Sequence, residues 1–204
     1  MSNESMTPRQ KDGLTEIVNM GVGHACAVLN QMVGSPVSIA VPQISFVTQD
    51  SIENDINKIS KDVVVVRMGF GGDIKGLSAI ILDGKEARAL VAAMNDGQIS
   101  EADIEATMNA TLTEVGNIMI NSLMGVMANV LTKTLQYQLP IYGRGEFERV
   151  IKNLDHLDRN HVLSIVTKIS VDTMSVSGRI VILFAVDSMQ SVIEKIDELS
   201  SGAA

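Results

Sequence analysis

Two stretches decide the fold: Asp12-Gly-Leu-Thr-Glu16-Ile-Val-Asn19-Met-Gly21-Val-Gly23 and Ala110-Thr-Leu-Thr-Glu114-Val-Gly-Asn117-Ile-Met-Ile-Asn121. In each, Glu precedes Asn by three residues, and a proline follows after 22 intervening residues, at Pro42 and Pro140. All three landmarks of the second copy lie 98 residues after those of the first. A further likeness joins Lys75-Gly76-Leu77 and its tail Ala79–Leu82 to Ser177-Gly178-Arg179 and Ile180–Phe184, at an offset of 102. The chain therefore reads as a duplication, with halves of roughly 1–100 and 101–204 and about four residues inserted between landmarks.

Each half has the same order of elements. Residues 8–33 and 101–134 read as long helices. Pro8 is tolerable only at a helix start, and Ser100 is an N-cap candidate with Glu101 and Asp103 behind it. Leu14, Ile17, Val18, Gly21, Ala25, Val28, Leu29 and Met32 form one apolar stripe; Leu112, Val115, Gly116, Met119, Leu123, Val126 and Met127 form the other. Val- and Ile-rich segments at 37–48, 62–70, 74–83, 136–149, 162–172 and 177–186 read as strands. Shorter helices close the halves at 84–95 and 188–199. Gly72-Asp73 and Ser177-Gly178 are expected at hairpin turns, and 95–98 at a turn between the halves. A half of helix, three strands and helix cannot bury both faces of its sheet alone. The expected fold is α+β: one pseudo-twofold duplicated domain with a merged antiparallel sheet covered by helices.

Composition narrows the function classes. Of 204 residues, 16 are basic and 24 acidic, a net charge of −8 that disfavours nucleic acid and anionic membranes as partners. Aromatics are 3% and Trp is absent, which removes base-stacking platforms. Apolar residues make up 46%, enough for a continuous core. The single Cys26 allows no internal disulfide and reads as a packed hydrophobe. No apolar run approaches the roughly 20 residues that span a bilayer, and the start lacks a signal-peptide pattern, so a cytoplasmic location is expected.

At 100° per residue, Asp12, Glu16, Asn19 and Gly23 fall within about 60° of one another, opposite the apolar stripe. Ala110, Glu114, Asn117 and Asn121 repeat that line. Each long helix thus presents Glu and Asn one turn apart on its polar side. The face carries no Ser, Cys or Lys nucleophile, no pair of carboxylates spaced for a sugar, and too few ligands for a metal. A carboxamide offers a donor and an acceptor that can orient water, and a carboxylate can clamp a cation. The pair suits phosphoryl hydrolysis on a docked protein whose own metal and Lys stabilise charge.

The pattern Asp12-x3-Glu16-x2-Asn19-x22-Pro42 resembles the signature of the CheC-type phosphatases of bacterial and archaeal chemotaxis. The second copy departs from it only in Ala110, where Asp or Ser is expected. The resemblance implies that the chain hydrolyses the aspartyl phosphate of phosphorylated CheY without a covalent intermediate. It assigns water positioning to Asn19 and Asn117 and docking to a regulator Lys to Glu16 and Glu114. Asp12 would support the first face, and Pro42 and Pro140 would bend or end a strand. No metal or cofactor of its own is implied; Mg²⁺ would belong to the bound regulator. CheD, a receptor deamidase, is the second implied partner, and the free chain is expected to be a monomer. Two motif copies argue against the single-motif CheX relatives. A chain ending after one closing helix argues against FliY relatives, which carry a further switch domain. The rival readings are a non-catalytic module binding phosphorylated CheY and CheD, and a structural subunit of the flagellar switch.

Other features read as structure. Gly21-x-Gly23 lacks the preceding strand of a dinucleotide site, and Gly21 reads as a point of close helix approach. His24 reads as surface, and His156 and His161 as parts of a solvated loop. Met119, Met124 and Met127 read as core.

Overall fold

Thr7 begins the first helix by accepting from the Gln10 N–H, while Gln10 Oε1 accepts the Thr7 N–H at 2.9 Å. Pro8 stands at the first helical position, where its missing N–H costs nothing. The resulting helix α1 runs Pro8–Val33 and ends at Gly34 with φ +61°. The structure is a computed structural model that describes residues 6–47, 60–95, 99–145, 162–171 and 176–202. Expectations for His156, His161 and most of the 95–98 turn lie outside the described residues.

In chain order the remaining elements are β1 (Val37–Ile39), β2 (Gln43–Val47), β3 (Val63–Gly72), β4 (Gly76–Asp83), α2 (Gly84–Ala93), α3 (Glu101–Leu131), β5 (Leu135–Tyr137), β6 (Ile141–Gly145), β7 (Val162–Val171), β8 (Val176–Phe184) and α4 (Val186–Ser201). Ser100 caps α3 by accepting from the Asp103 N–H, as its sequence position suggested. The segments expected as single strands at 37–48 and 136–149 are each broken in two. Pro42 and Pro140 lie in the breaks, where a residue without an N–H cannot extend the ladder.

The eight strands form one antiparallel sheet. Its central order is β7-β8-β4-β3, with β1 and β2 both pairing β7, and β5 and β6 both pairing β3. The halves are exchanged: first-half strands complete the second half's edge, and second-half strands complete the first's. Ala79 pairs with Val181, its own counterpart at the offset of 102, so the local twofold passes through that pair at the sheet's centre. The closing helices are exchanged too, α2 packing on α3 and α4 on α1.

The four helices among the described residues lie on one sheet face. The core there joins Leu14, Ile17, Val18, Leu29, Leu112, Met119 and Leu123 to Val64, Val66, Ile80, Ile165 and Ile182. Met119, Met124 and Met127 are each 1% exposed, which makes them core rather than a docking rim. The opposite face is also apolar and buried, with Val63, Val65, Leu77, Ala79, Ile81, Val181 and Leu183. The stretches Val63–Val66, Ala79–Leu82 and Ile180–Phe184 therefore read as continuous apolar runs rather than alternating ones.

Gly72 does mark the β3–β4 turn: its φ is +104°, and a Cβ there would sit 2.5 Å from the Thr134 carbonyl oxygen. Ser177-Gly178 does not mark the second turn. Both residues are inside β8, paired with Ser170 and Ile169. Gly178 is glycine because a Cβ would meet Leu82 at 2.8 Å and Ile169 at 3.2 Å. Its counterpart Gly76 sits between Phe70 and Phe184, whose rings meet edge to face with centroids 5.7 Å apart. The shared glycine thus serves packing across the sheet.

Candidate functional site

The buried stripes of α1 and α3 fix which side of each helix faces out. With Leu14, Ile17, Val18 and Gly21 inward, Asp12, Glu16 and Asn19 are exposed. With Leu112, Val115, Gly116 and Met119 inward, Ala110 and Glu114 are exposed and Asn117 is half-buried. The helices can approach closely because Gly21 packs on Leu123, where a Cβ would lie 2.7 Å from Cδ1 and 2.8 Å from the carbonyl oxygen. Gly116 does the same against the sheet, where a Cβ would collide with Val66 Cγ1. The two Glu–Asn ridges therefore ride on a rigid helix pair over the sheet.

The ridges differ in their surroundings. Asn121 Nδ2 donates to Asn117 Oδ1 at 2.9 Å, one turn along the second ridge. The equivalent position on the first ridge is Gly23, and Asn19 makes no side-chain hydrogen bond among the described residues. Glu16 borders a groove of about 280 Å³ whose other walls include Met20, Val130, Ile196 and Leu199. Met20 and Leu199 are 45% and 38% exposed, so the groove's rim is apolar and open. Near the start of α3, Glu105 takes Arg88 and Arg144, and Arg144 also binds Asp62 at 2.8 Å. That guanidinium holds the Asp62 carboxyl below the usual carboxylate range.

The remaining titratable candidates stand apart from the ridges. Cys26 is buried, and burial pushes its thiol up to about 11, which leaves it protonated and unreactive. His24 is exposed on α1. Among the described residues no three His, Cys, Asp or Glu gather as metal ligands. No helix among the described residues is long and apolar enough to cross a membrane. The arrangement can offer a partner two carboxylates and two carboxamides on outward helix faces. Asn121 and the apolar groove had not been given roles from sequence; the i, i+4 spacing of Asn117 and Asn121 was the available signal for the first.

No family model matches the chain. It is 22% identical over 145 residues to the CheY-P phosphatase CheC of Bacillus subtilis (strain 168), spanning 70% of this chain and 69% of that protein. The fold superimposes on FliY of Thermotoga maritima with a TM-score of 0.73 at 19% identity, covering 95% of this chain and 98% of that one. The chain is thus similar in sequence to CheC and in fold to FliY and CheX. CheX in the CheX–CheY–BeF3–Mg²⁺ complex of Borrelia burgdorferi matches with a TM-score of 0.56 at 17% identity, over 81% of this chain and 96% of that chain. The FliM middle domain of H. pylori matches at 0.62 with 10% identity, over 93% and 99%. The FliY structure is matched over nearly all of its own length, so chain length does not separate the two. The fold is common to proteins named CheX, FliY and FliM, so function must be argued from the ridges.

Proposed function

We propose that the chain is a phosphatase for phosphorylated CheY. The observation that carries this reading is the pair of outward ridges, each presenting Glu and Asn one turn apart, on a fold shared with FliY. Nothing in the packing requires those side chains. Glu16 and Glu114 offer carboxylates to a Lys of the docked regulator, and Asn19 and Asn117 each place a water in line with the aspartyl phosphorus. The water oxygen bonds to phosphorus as the phosphorus–acyl oxygen bond breaks. The electron pair stays on the regulator's carboxylate, and the water's protons leave on inorganic phosphate. The chain supplies orientation, and Mg²⁺ on the regulator supplies charge stabilisation. CheD is the second partner of this reading.

Support comes from the CheC relative named as a CheY-P phosphatase and from the CheX fold captured with CheY. The test is decay of phosphorylated CheY with wild type, Asn19→Ala, Asn117→Ala and the double variant, with and without CheD. Decay should slow with each single change and return to the spontaneous rate in the double. A double variant as fast as wild type refutes the reading. The FliM likeness and the incomplete second motif at Ala110 favour one alternative, a binding or switch module. That alternative holds if wild type binds phosphorylated CheY while leaving its decay unchanged.

A further inference from the structure

We propose that Asn121 is a positioning residue for Asn117, and that the first ridge works without such a residue because Gly23 occupies the matching place. The inference rests on the reading that both carboxamides orient water.

The terminal torsion of an Asn side chain is broad and close to twofold, so an unheld amide exchanges the places of its oxygen and its NH2 group. Only one of the two orientations offers water the correct donor and acceptor. On α3, Asn121 lies one turn beyond Asn117, and its Nδ2 donates to Asn117 Oδ1 at 2.9 Å. Flipping Asn117 alone would set one NH2 group against another, so its amide can turn over only together with that of Asn121, and the bond restricts its motion. Oδ1 keeps a second lone pair and Nδ2 keeps both hydrogens, leaving the amide able to accept from and donate to a water. Both residues are half-buried, which strengthens the bond against exchange with solvent.

On α1 the matching place is Gly23, and a Cβ built there meets nothing within 4 Å. Glycine is therefore not required there by packing, and a Cβ has room. Asn19 is exposed and unheld among the described residues. The ridges are thus inequivalent at the level of amide order: Asn117 meets its partner already restrained by Asn121, and Asn19 must be ordered on docking.

The test uses the full chain in two single-ridge backgrounds. Asn19→Ala leaves the second ridge and Asn117→Ala leaves the first. In the Asn19→Ala background, Asn121→Ala should lower kcat for phosphorylated CheY about three- to tenfold, the range expected for ordering one side chain, with KM unchanged. Asn121→Asp, similar in shape but without a donor when ionised, should lose as much. In the Asn117→Ala background, Gly23→Asn should raise kcat by a similar factor. A readout independent of catalysis is the side-chain ¹⁵N order parameter, which should be higher for Asn117 than for Asn19 and fall in Asn121→Ala. The proposal is overturned if Asn121→Ala leaves kcat unchanged in the Asn19→Ala background, slows both backgrounds equally, or leaves the order parameter of Asn117 intact. It is also overturned if the second ridge alone has no activity, or if Gly23→Asn gains nothing. Failure of the underlying reading is distinct: there, the double Asn19→Ala/Asn117→Ala protein would keep wild-type decay.

Discussion

Gly21 and Gly23 stand two residues apart on one helix, and replacing each with Ala should shift stability in opposite directions. Ala gains about 1 kcal/mol over Gly in a helix interior wherever the methyl has room. At Gly23 it has room, since nothing lies within 4 Å of the new carbon. Gly23→Ala should therefore stabilise by about 0.5–1 kcal/mol. At Gly21 the methyl would lie 2.7 Å from Leu123 Cδ1 and 2.8 Å from the Leu123 carbonyl oxygen. The side-chain carbon can rotate aside, but the carbonyl is fixed in the hydrogen bonding of α3. Overpacking of this kind costs about 1–3 kcal/mol, which exceeds the propensity gain. Gly21→Ala should thus lose about 1 kcal/mol net, a difference of about 2 kcal/mol between the two variants. For a chain of this size that is about 4–8 °C in Tm. Urea unfolding followed by circular dichroism reads both, with an unchanged m-value as the sign that only stability moved. Adding Leu123→Ala to Gly21→Ala should not restore stability, because the carbonyl remains and Leu123 is itself buried core, whose truncation costs about 2–5 kcal/mol. If both glycine variants stabilise alike, α1 and α3 do not touch at Gly21, and the placement of the ridges argued from that contact fails.

Thr132 closes α3 with φ +54°, the place where α1 uses Gly34 at φ +61°. A β-branched residue is strained in this left-handed conformation, so Thr132→Gly should stabilise by about 0.5–1 kcal/mol in the same urea assay. Cys26 should resist a thiol reagent at pH 8 in native protein and react fully once urea unfolds it, because its thiol is buried and titrates near 11. Fast labelling of native protein would place it at the surface. Asp62 is held below the ordinary carboxylate range by Arg144, so the stability this pair adds is present above that range and lost as pH falls through and below it. The carboxylate is 52% exposed, so Asp62→Asn should cost no more than about 0.5 kcal/mol at pH 7 and flatten the acid limb of a stability–pH profile.

The sequence made the long helices legible because several signals agree there. Pro8, the Leu14-to-Met32 stripe and Gly34 bound α1 as Pro8–Val33, matching the expected 8–33. Repeated landmarks also implied a merged sheet, since neither half could cover its own strands. Less was legible where one residue type serves two purposes. A glycine beside a serine reads as a turn, yet Gly178 is demanded by Leu82 and Ile169 in neighbouring strands, contacts that pairing alone creates. The breaks at Pro42 and Pro140 were recognisable as bends, but not as splits that let β1 and β2 share β7 and let β5 and β6 share β3. On the ridges, spacing put Glu and Asn on one line. It did not show that Asn121 bonds Asn117, because an i, i+4 pair of amides in a helix can equally point into water.

Internal repetition separates what the fold needs from what the surface does. Gly76 and Gly178 recur because each lies among bulky neighbours on adjacent strands, so their repetition has a packing cause. Glu16 and Glu114, exposed on outward faces, have none, and Asn19 has no bond to satisfy among the described residues. Meanwhile neighbouring ridge positions have diverged freely, Asp12 against Ala110 and Gly23 against Asn121. A pair kept alike in both halves, on a face where adjacent residues differ, is better explained by something that meets both faces than by folding. The physical consequence can be measured. Because neither carboxamide supports the core, Asn19→Ala should change unfolding free energy by less than about 0.5 kcal/mol, and adding Asn117→Ala should cost no more than the roughly 0.5–1.5 kcal/mol of its one bond to Asn121, offset in part by the better helix propensity of Ala. A double variant that unfolded much more easily would show the carboxamides to be structural and remove the reason to look outward for their purpose.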